Sequence, residues 1–130
     1  MRTVLARTAT SAALAALPII GFATPAHATI PKASIALHVT DIEGVPVRSA
    51  RLTCNPAGGT HPHADAACAA LKHVNGDIGA RPHGHTPCPK EYLPVTARAS
   101  GVWNGKAIRF HEDYSNACEL RTATGPVFGF

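Results

Sequence analysis

The apolar positions change period several times along the chain. Ser34 to Thr40 alternates Ile35, Leu37 and Val39 with small or polar residues, the period-two pattern of a strand with one buried face. Val47 to Cys54 repeats it with Ala50, Leu52 and Cys54, and the intervening "EGVP" (Glu43–Pro46) reads as a turn. "NPAGGTHP" (Asn55–Pro62) is loop by composition. Ala64 to Val74 then switches to helical spacing. Ala67, Cys68, Leu71 and Val74 share a face, Asp65 sits in the first turn, and Gly76 can end the helix. Asn75 to Pro94 has no periodicity and repeated prolines, which predicts a long loop. Leu93 to Ala99 alternates again, and Asn104-Gly105 in "GVWNGKAIRF" predicts a hairpin, because a type I′ turn needs positive φ at both central positions. Ser115 to Arg121 reads as one or two helical turns, with Asn116 and Glu119 at capping-box spacing. Thr124 to Phe130 reads as a terminal strand. The sum is an α+β domain of about five antiparallel strands and two short helices.

The N-terminal stretch belongs to a different class. Arg2 and Arg7 precede an apolar run, Ala12 to Phe22, and "AHA" (Ala26–Ala28) has the small–x–small form of a cleavage site. An eleven-residue run is too short for a bilayer, which needs about 20 residues. Residues 1–28 are therefore expected to be a secretory signal peptide and residues 29–130 the exported domain, with no membrane contact in the mature form. Removing the leader takes two of the twelve Lys/Arg residues, leaving ten against eight acids, a net charge of only +2. These basic residues are scattered, with few aromatics among them, and give no support to nucleic-acid binding.

All four cysteines, Cys54, Cys68, Cys88 and Cys118, lie in the exported part, where an even count implies two bridges. Three pairings are open; the sequential one, Cys54–Cys68 and Cys88–Cys118, is preferred because its loops do not cross. Closing rings of about 15 and 31 residues would contribute roughly 3 and 3.7 kcal/mol in the loop-closure description.

Catalytic signals are weak. Ser34, Ser49, Ser100 and Ser115 lie outside any nucleophile elbow, Glu112-Asp113 are adjacent rather than facing, and bridged cysteines offer no thiolate. No enzyme and no cofactor is expected. "HPH" (His61–His63) and "HGH" (His83–His85) place four imidazoles in loops, so a secreted histidine-rich metal-binding module is the alternative reading. No carboxylate stands where it would orient those rings, and the expectation is no metal.

"HTPCPKEYLP" (His85–Pro94) carries the stronger signal. Pro87, Pro89 and Pro94 forbid a helix and stiffen the backbone. Cys88 stands two residues before Lys90, and the following strand anchors the other end. Lys90, Glu91 and Tyr92 are thus presented on a backbone ordered before any partner arrives, which is how a small contact binds tightly. An exposed extended segment can add itself as a strand in an enzyme's cleft, as protease substrates do. A protease inhibitor follows on physical grounds.

The chain resembles the Streptomyces subtilisin inhibitor family of secreted serine protease inhibitors. The matching runs are "LTCNPAGGTHP" (Leu52–Pro62), Ala67-Cys68 with Leu71, "CPKEYLPV" (Cys88–Val95), "GVWNGK" (Gly101–Lys106), "SNACE" (Ser115–Glu119) and "VFGF" (Val127–Phe130). The resemblance implies the two sequential bridges, a five-stranded antiparallel sheet with two helices, and a homodimer packed through sheet faces. It places the reactive bond between Lys90 and Glu91. Pro87, Cys88 and Pro89 would lie on the non-primed side of that bond and Glu91, Tyr92 and Leu93 on the primed side, with Pro94 closing the protease-binding loop and Asn116 supporting it from behind. A lysine entering the specificity pocket implies trypsin-like proteases first and subtilisin-like ones second. Capping by Asn116 and loop support by Asn116 are expected to compete, with loop support favoured. Glu91 stands where the family usually has a small or apolar residue, Leu93 where many members carry an acid, and Gly79–Pro87 is poorly matched. Should His83 and His85 pack beside the loop, binding would vary with pH near 6.5.

Overall fold

The structure, a computed structural model, describes residues 21–130. Most of the expected leader lies outside the described residues, and residues 21–31 have no regular structure. The elements that follow are β1 (Ala33–Asp41), β2 (Pro46–Cys54), β3 (Gly58–Gly59), α1 (Ala64–His73), β4 (Val95–Trp103), β5 (Lys106–Tyr114) and α2 (Ala117–Thr124). Single 3₁₀ turns occupy Ile78–Ala80 and Gly125–Phe128. The strands form one antiparallel sheet in the order β3-β2-β1-β4-β5.

Alternation decides which face is covered. Ile35, Leu37 and Val39 of β1, Leu52 of β2 and Ala97 and Ala99 of β4 are buried, and the helices close over them with Ala67, Leu71 and Leu120. Each large aliphatic side chain removed from water contributes about 1.5–3 kcal/mol, so this layer is the main source of stability. Gly101 lets β4 close on β1, since a Cβ there would stand 2.1 Å from the Ser34 carbonyl oxygen. The β4–β5 hairpin turns where expected, with Asn104 at φ 47° and Gly105 at φ 80°. Cys54–Cys68 joins β2 to α1, and Cys88–Cys118 joins the long loop to α2.

Three expectations need correction. Thr124–Phe130 is not a strand: α2 runs on to Thr124, and a 3₁₀ turn follows in which Val127 and Phe128 are fully buried. Pro126 at the start of that turn has no N–H to give a sheet. The fifth strand is instead Gly58–Gly59, paired with Leu52 and Thr53 at the sheet edge inside the expected loop. The strand expected from Leu93 begins at Val95, immediately after Pro94.

The C-terminal turn is clasped from two sides. Arg48 of β2 donates to the Phe130 carbonyl at 2.7 Å. The buried His61 lies 3.1 Å from the Val127 carbonyl through Nε2, accepts from the His63 N–H through Nδ1, and meets Phe130 edge-on.

Candidate functional site

Residues 82–94 have no regular secondary structure. Pro87, Pro89, Lys90 and Glu91 are exposed, as are Tyr92 at 72% and Leu93 at 61%, whereas Cys88 and Pro94 are half-buried. A segment with this little burial cannot hold its shape through its own packing. Its order has to come from what stands behind it.

What stands behind it is the start of α2. Asn116 is only 6% exposed and lies immediately before the helix in extended conformation. Its Oδ1 accepts from the Glu119 N–H at 3.0 Å, capping the helix. Its Nδ2 donates to the carbonyls of Pro89, at 3.1 Å, and Glu91, at 2.9 Å. One amide therefore grips the backbone on both sides of Lys90. The expected competition between capping and loop contact does not arise, because the amide has an acceptor end for the helix and a donor end for the loop. Among the described residues no hydrogen bond engages the Lys90 carbonyl, which leaves it open to a visitor.

Further ties bracket this one. Cys88–Cys118 fixes the chain two residues before Lys90 to the second residue of α2, with Cα atoms 5.7 Å apart. The Leu93 N–H donates to the Ser115 carbonyl at 3.0 Å, and the Gly84 N–H donates to the Thr122 carbonyl at 2.9 Å. A typical bond of this kind nets about 0.5–1.5 kcal/mol. Four attachments to α2 and the two residues before it, the helix itself anchored by the buried Leu120, leave the loop little freedom. Ser115 and Thr122 were not foreseen from sequence. They act through main-chain carbonyls, so their side chains carry no signal.

At the base of the loop Tyr114 ends β5, paired with Val95. Burial pushes its phenol above the usual range, and the nearby Glu112 carboxylate adds to the shift.

The histidine pairs are not brought together as a ligand set. His61 is spent in the clasp described above, His63 is exposed at the start of α1, and His83 and His85 are exposed on either side of the tethered Gly84. Among the described residues no group of three or more His, Cys, Asp or Glu side chains is placed to hold a metal ion. No helix among them is long and apolar enough to cross a membrane.

Comparison with known proteins gives one consistent result. The family model described as subtilisin inhibitor-like matches residues 32–116. Subtilisin inhibitor-like protein 5 of Streptomyces fradiae is 41% identical over 99 residues, covering 75% of this chain and 92% of that protein. The subtilisin inhibitor of Streptomyces albogriseolus is 39% identical over 126 residues, covering 88% of each chain. Among solved structures, Streptomyces caespitosus sermetstatin, crystallised in complex with Bacillus licheniformis subtilisin, superposes with a TM-score of 0.63 at 30% identity, covering 75% of this chain and 98% of that one.

Proposed function

The chain belongs to the subtilisin inhibitor-like family, a family of inhibitors and not of enzymes, and from that premise we propose that it inhibits serine proteases by offering Lys90–Glu91 as a scissile bond that is held too firmly to leave. One observation carries the reading: the Asn116 amide holds the carbonyls of Pro89 and Glu91, so the peptide between them is displayed with its own carbonyl free. A catalytic serine can approach the Lys90 carbonyl carbon while the oxyanion hole receives its oxygen. Pro87, Cys88 and Pro89 then lie along the non-primed side of the cleft, and Glu91, Tyr92 and Leu93 along the primed side. If the bond is cut, the Cys88–Cys118 bridge and the Leu93–Ser115 hydrogen bond hold the two ends, so the new amine of Glu91 stays beside the acyl group and re-forms the peptide. Affinity is then set by slow departure.

Lys90 assigns the target class. A pocket with an aspartate at its base pairs with an ammonium and rejects an apolar side chain, which would leave that charge unpaired. Trypsin-like proteases are the first targets and subtilisin-like ones the second. Glu91 and Leu93 both weaken the subtilisin interaction. Lys90→Met tests this through inhibition constants for both enzymes. Trypsin inhibition should fall at least about tenfold, roughly 1.4 kcal/mol, with subtilisin inhibition less affected; an unchanged trypsin constant rules the assignment out.

The same reading makes the protein secreted, with residues 1–28 removed as its leader and residues 29–130 the working domain. The same reading includes a homodimer packed through sheet faces, for which the face of the sheet that the helices leave uncovered is the available surface.

A further inference from the structure

A cleft of about 710 Å³ opens on the helix-covered side of the sheet, between α2 and the C-terminal turn. Helical spacing explains what α2 contributes to its wall. Ala117, Arg121 and Gly125 stand about one turn apart on a single face. Arg48 comes from β2, His63 from the start of α1 and Thr86 from the loop. The lining thus holds two arginines and an imidazole, and no acid. The two arginines differ in their commitments. Arg48 donates to the Phe130 carbonyl at 2.7 Å. Arg121 is exposed, and among the described residues no partner holds its guanidinium. A guanidinium keeps its charge at every working pH, so Arg121 is a standing cation at the mouth of an acid-free cleft.

Position gives that charge a use. Thr86 stands four residues before Lys90, at most about 14 Å away along an extended chain. Cys118, also in the lining, carries the bridge to Cys88. Ala117 follows Asn116, whose amide holds the carbonyls on either side of Lys90. The cleft is therefore built on the same turn of helix that positions the displayed bond, beside the residues that precede it. A protease that takes Pro87, Cys88 and Pro89 along its cleft brings its non-primed rim to Thr86. Charges fixed within about 10 Å of each other act on encounter at 0.1 M salt before the surfaces touch. An acidic rim is drawn to Arg121, and a basic one is repelled.

We infer that the Arg121 cleft is a second contact for the target protease, receiving an acidic loop on the non-primed rim of the active site. It selects targets through the rate of encounter, whereas Lys90 selects them through the specificity pocket. The inference rests on the inhibitor reading above. Arg48 shares a face of the sheet with the buried Val39, its register partner, so the cleft lies opposite the uncovered face. A homodimer packed through that face does not compete for it.

The test uses the chain as it exists and measures association and dissociation rates against an anionic and a cationic trypsin, from about 20 to about 300 mM salt. The parent should associate with the anionic enzyme at least about tenfold faster at the low salt than at the high. Arg121→Glu should slow that association at least about fivefold at low salt, with the gap closing at high salt and dissociation changed less than about twofold. Against the cationic enzyme the variant should associate no more slowly than the parent. Lys106→Glu makes the same change in net charge at the far end of β5, where Lys106 is exposed and paired with Trp103. It should slow the anionic enzyme less than about half as much. Equal slowing by Lys106→Glu would mean that net charge is read rather than the cleft. Equal slowing of both trypsins would mean that Arg121 serves the loop rather than the encounter, and no slowing at low salt that the rim does not reach it. Each of these overturns the inference and leaves the inhibitor reading standing. A parent that inhibits neither trypsin nor subtilisin overturns the inhibitor reading and takes the inference with it.

Discussion

The two disulfides span the same Cα distance, 5.7 Å, yet they hold unlike things. Cys54 is 1% exposed and its bridge to Cys68 joins a strand and a helix that already pack through Leu52, Ala67 and Leu71. Cys88 is half-buried in a segment without secondary structure, and its bridge to Cys118 replaces packing that the segment lacks. In one region the covalent bond adds to a core. In the other it stands in for one, together with the Asn116 amide. The loop is therefore ordered without being buried, which is what a surface meant to enter another protein's cleft requires, since burial at home and burial in the cleft exclude each other.

Breaking the loop bridge should have the largest effect. Cys88→Ser with Cys118→Ser opens a ring spanning 30 positions, and the loop-closure description puts the loss of stability at roughly 3.7 kcal/mol. The functional loss is the sharper readout. Freeing several exposed side chains costs about 0.5–1.5 kcal/mol each when the protease must order them again. Inhibition should weaken about 100-fold, near 2.7 kcal/mol, and the protein should be cut after Lys90 as an ordinary substrate. Mass spectrometry of the products after incubation with trypsin checks this. A variant that stays a tight inhibitor would mean the bridge is not what holds the loop.

Breaking the core bridge should cost slightly less stability and almost no inhibition. Cys54→Ala with Cys68→Ala opens the ring spanning 14 positions, for roughly 3 kcal/mol by the same reasoning. The Asn116 contacts and the second bridge are untouched, so inhibition constants at 25 °C should match those of the parent while the urea midpoint falls. If this variant loses inhibition as fully as the loop variant, the contrast between the regions fails and the molecule responds as one unit.

How much of this could be read beforehand depends on where the information sits. β1 and the β4–β5 hairpin were legible because Ile35, Leu37 and Val39 keep a strict period and Asn104-Gly105 demands its turn. β3 was not, because Gly58 and Gly59 have no side chains from which to read a face. The apolar pair Val127-Phe128 marked burial correctly but not its form, since two residues cannot distinguish a strand from a 3₁₀ turn. The loop was legible from its prolines and cysteine; the carbonyls of Ser115 and Thr122 that receive it were not, because main-chain acceptors leave no residue signature.

Asn116 gives the smallest and most discriminating perturbation. Its two ends serve the two regions separately: Oδ1 caps α2, and Nδ2 reaches the loop. Asn116→Asp keeps an acceptor that caps a helix as well as asparagine does, and it favours the positive end of the helix dipole. It removes both donated hydrogen bonds and sets a carboxylate against the Pro89 and Glu91 carbonyls. The urea midpoint should move little, while inhibition weakens about tenfold, close to 1.4 kcal/mol. Asn116→Ala loses both ends, so it should add a capping loss of about 1 kcal/mol to the same weakening. Equal stability of the two variants would mean that the cap contributes nothing here. Retained inhibition in the aspartate variant would mean that the loop keeps its shape without the amide, and the bridge would then be its sole effective support.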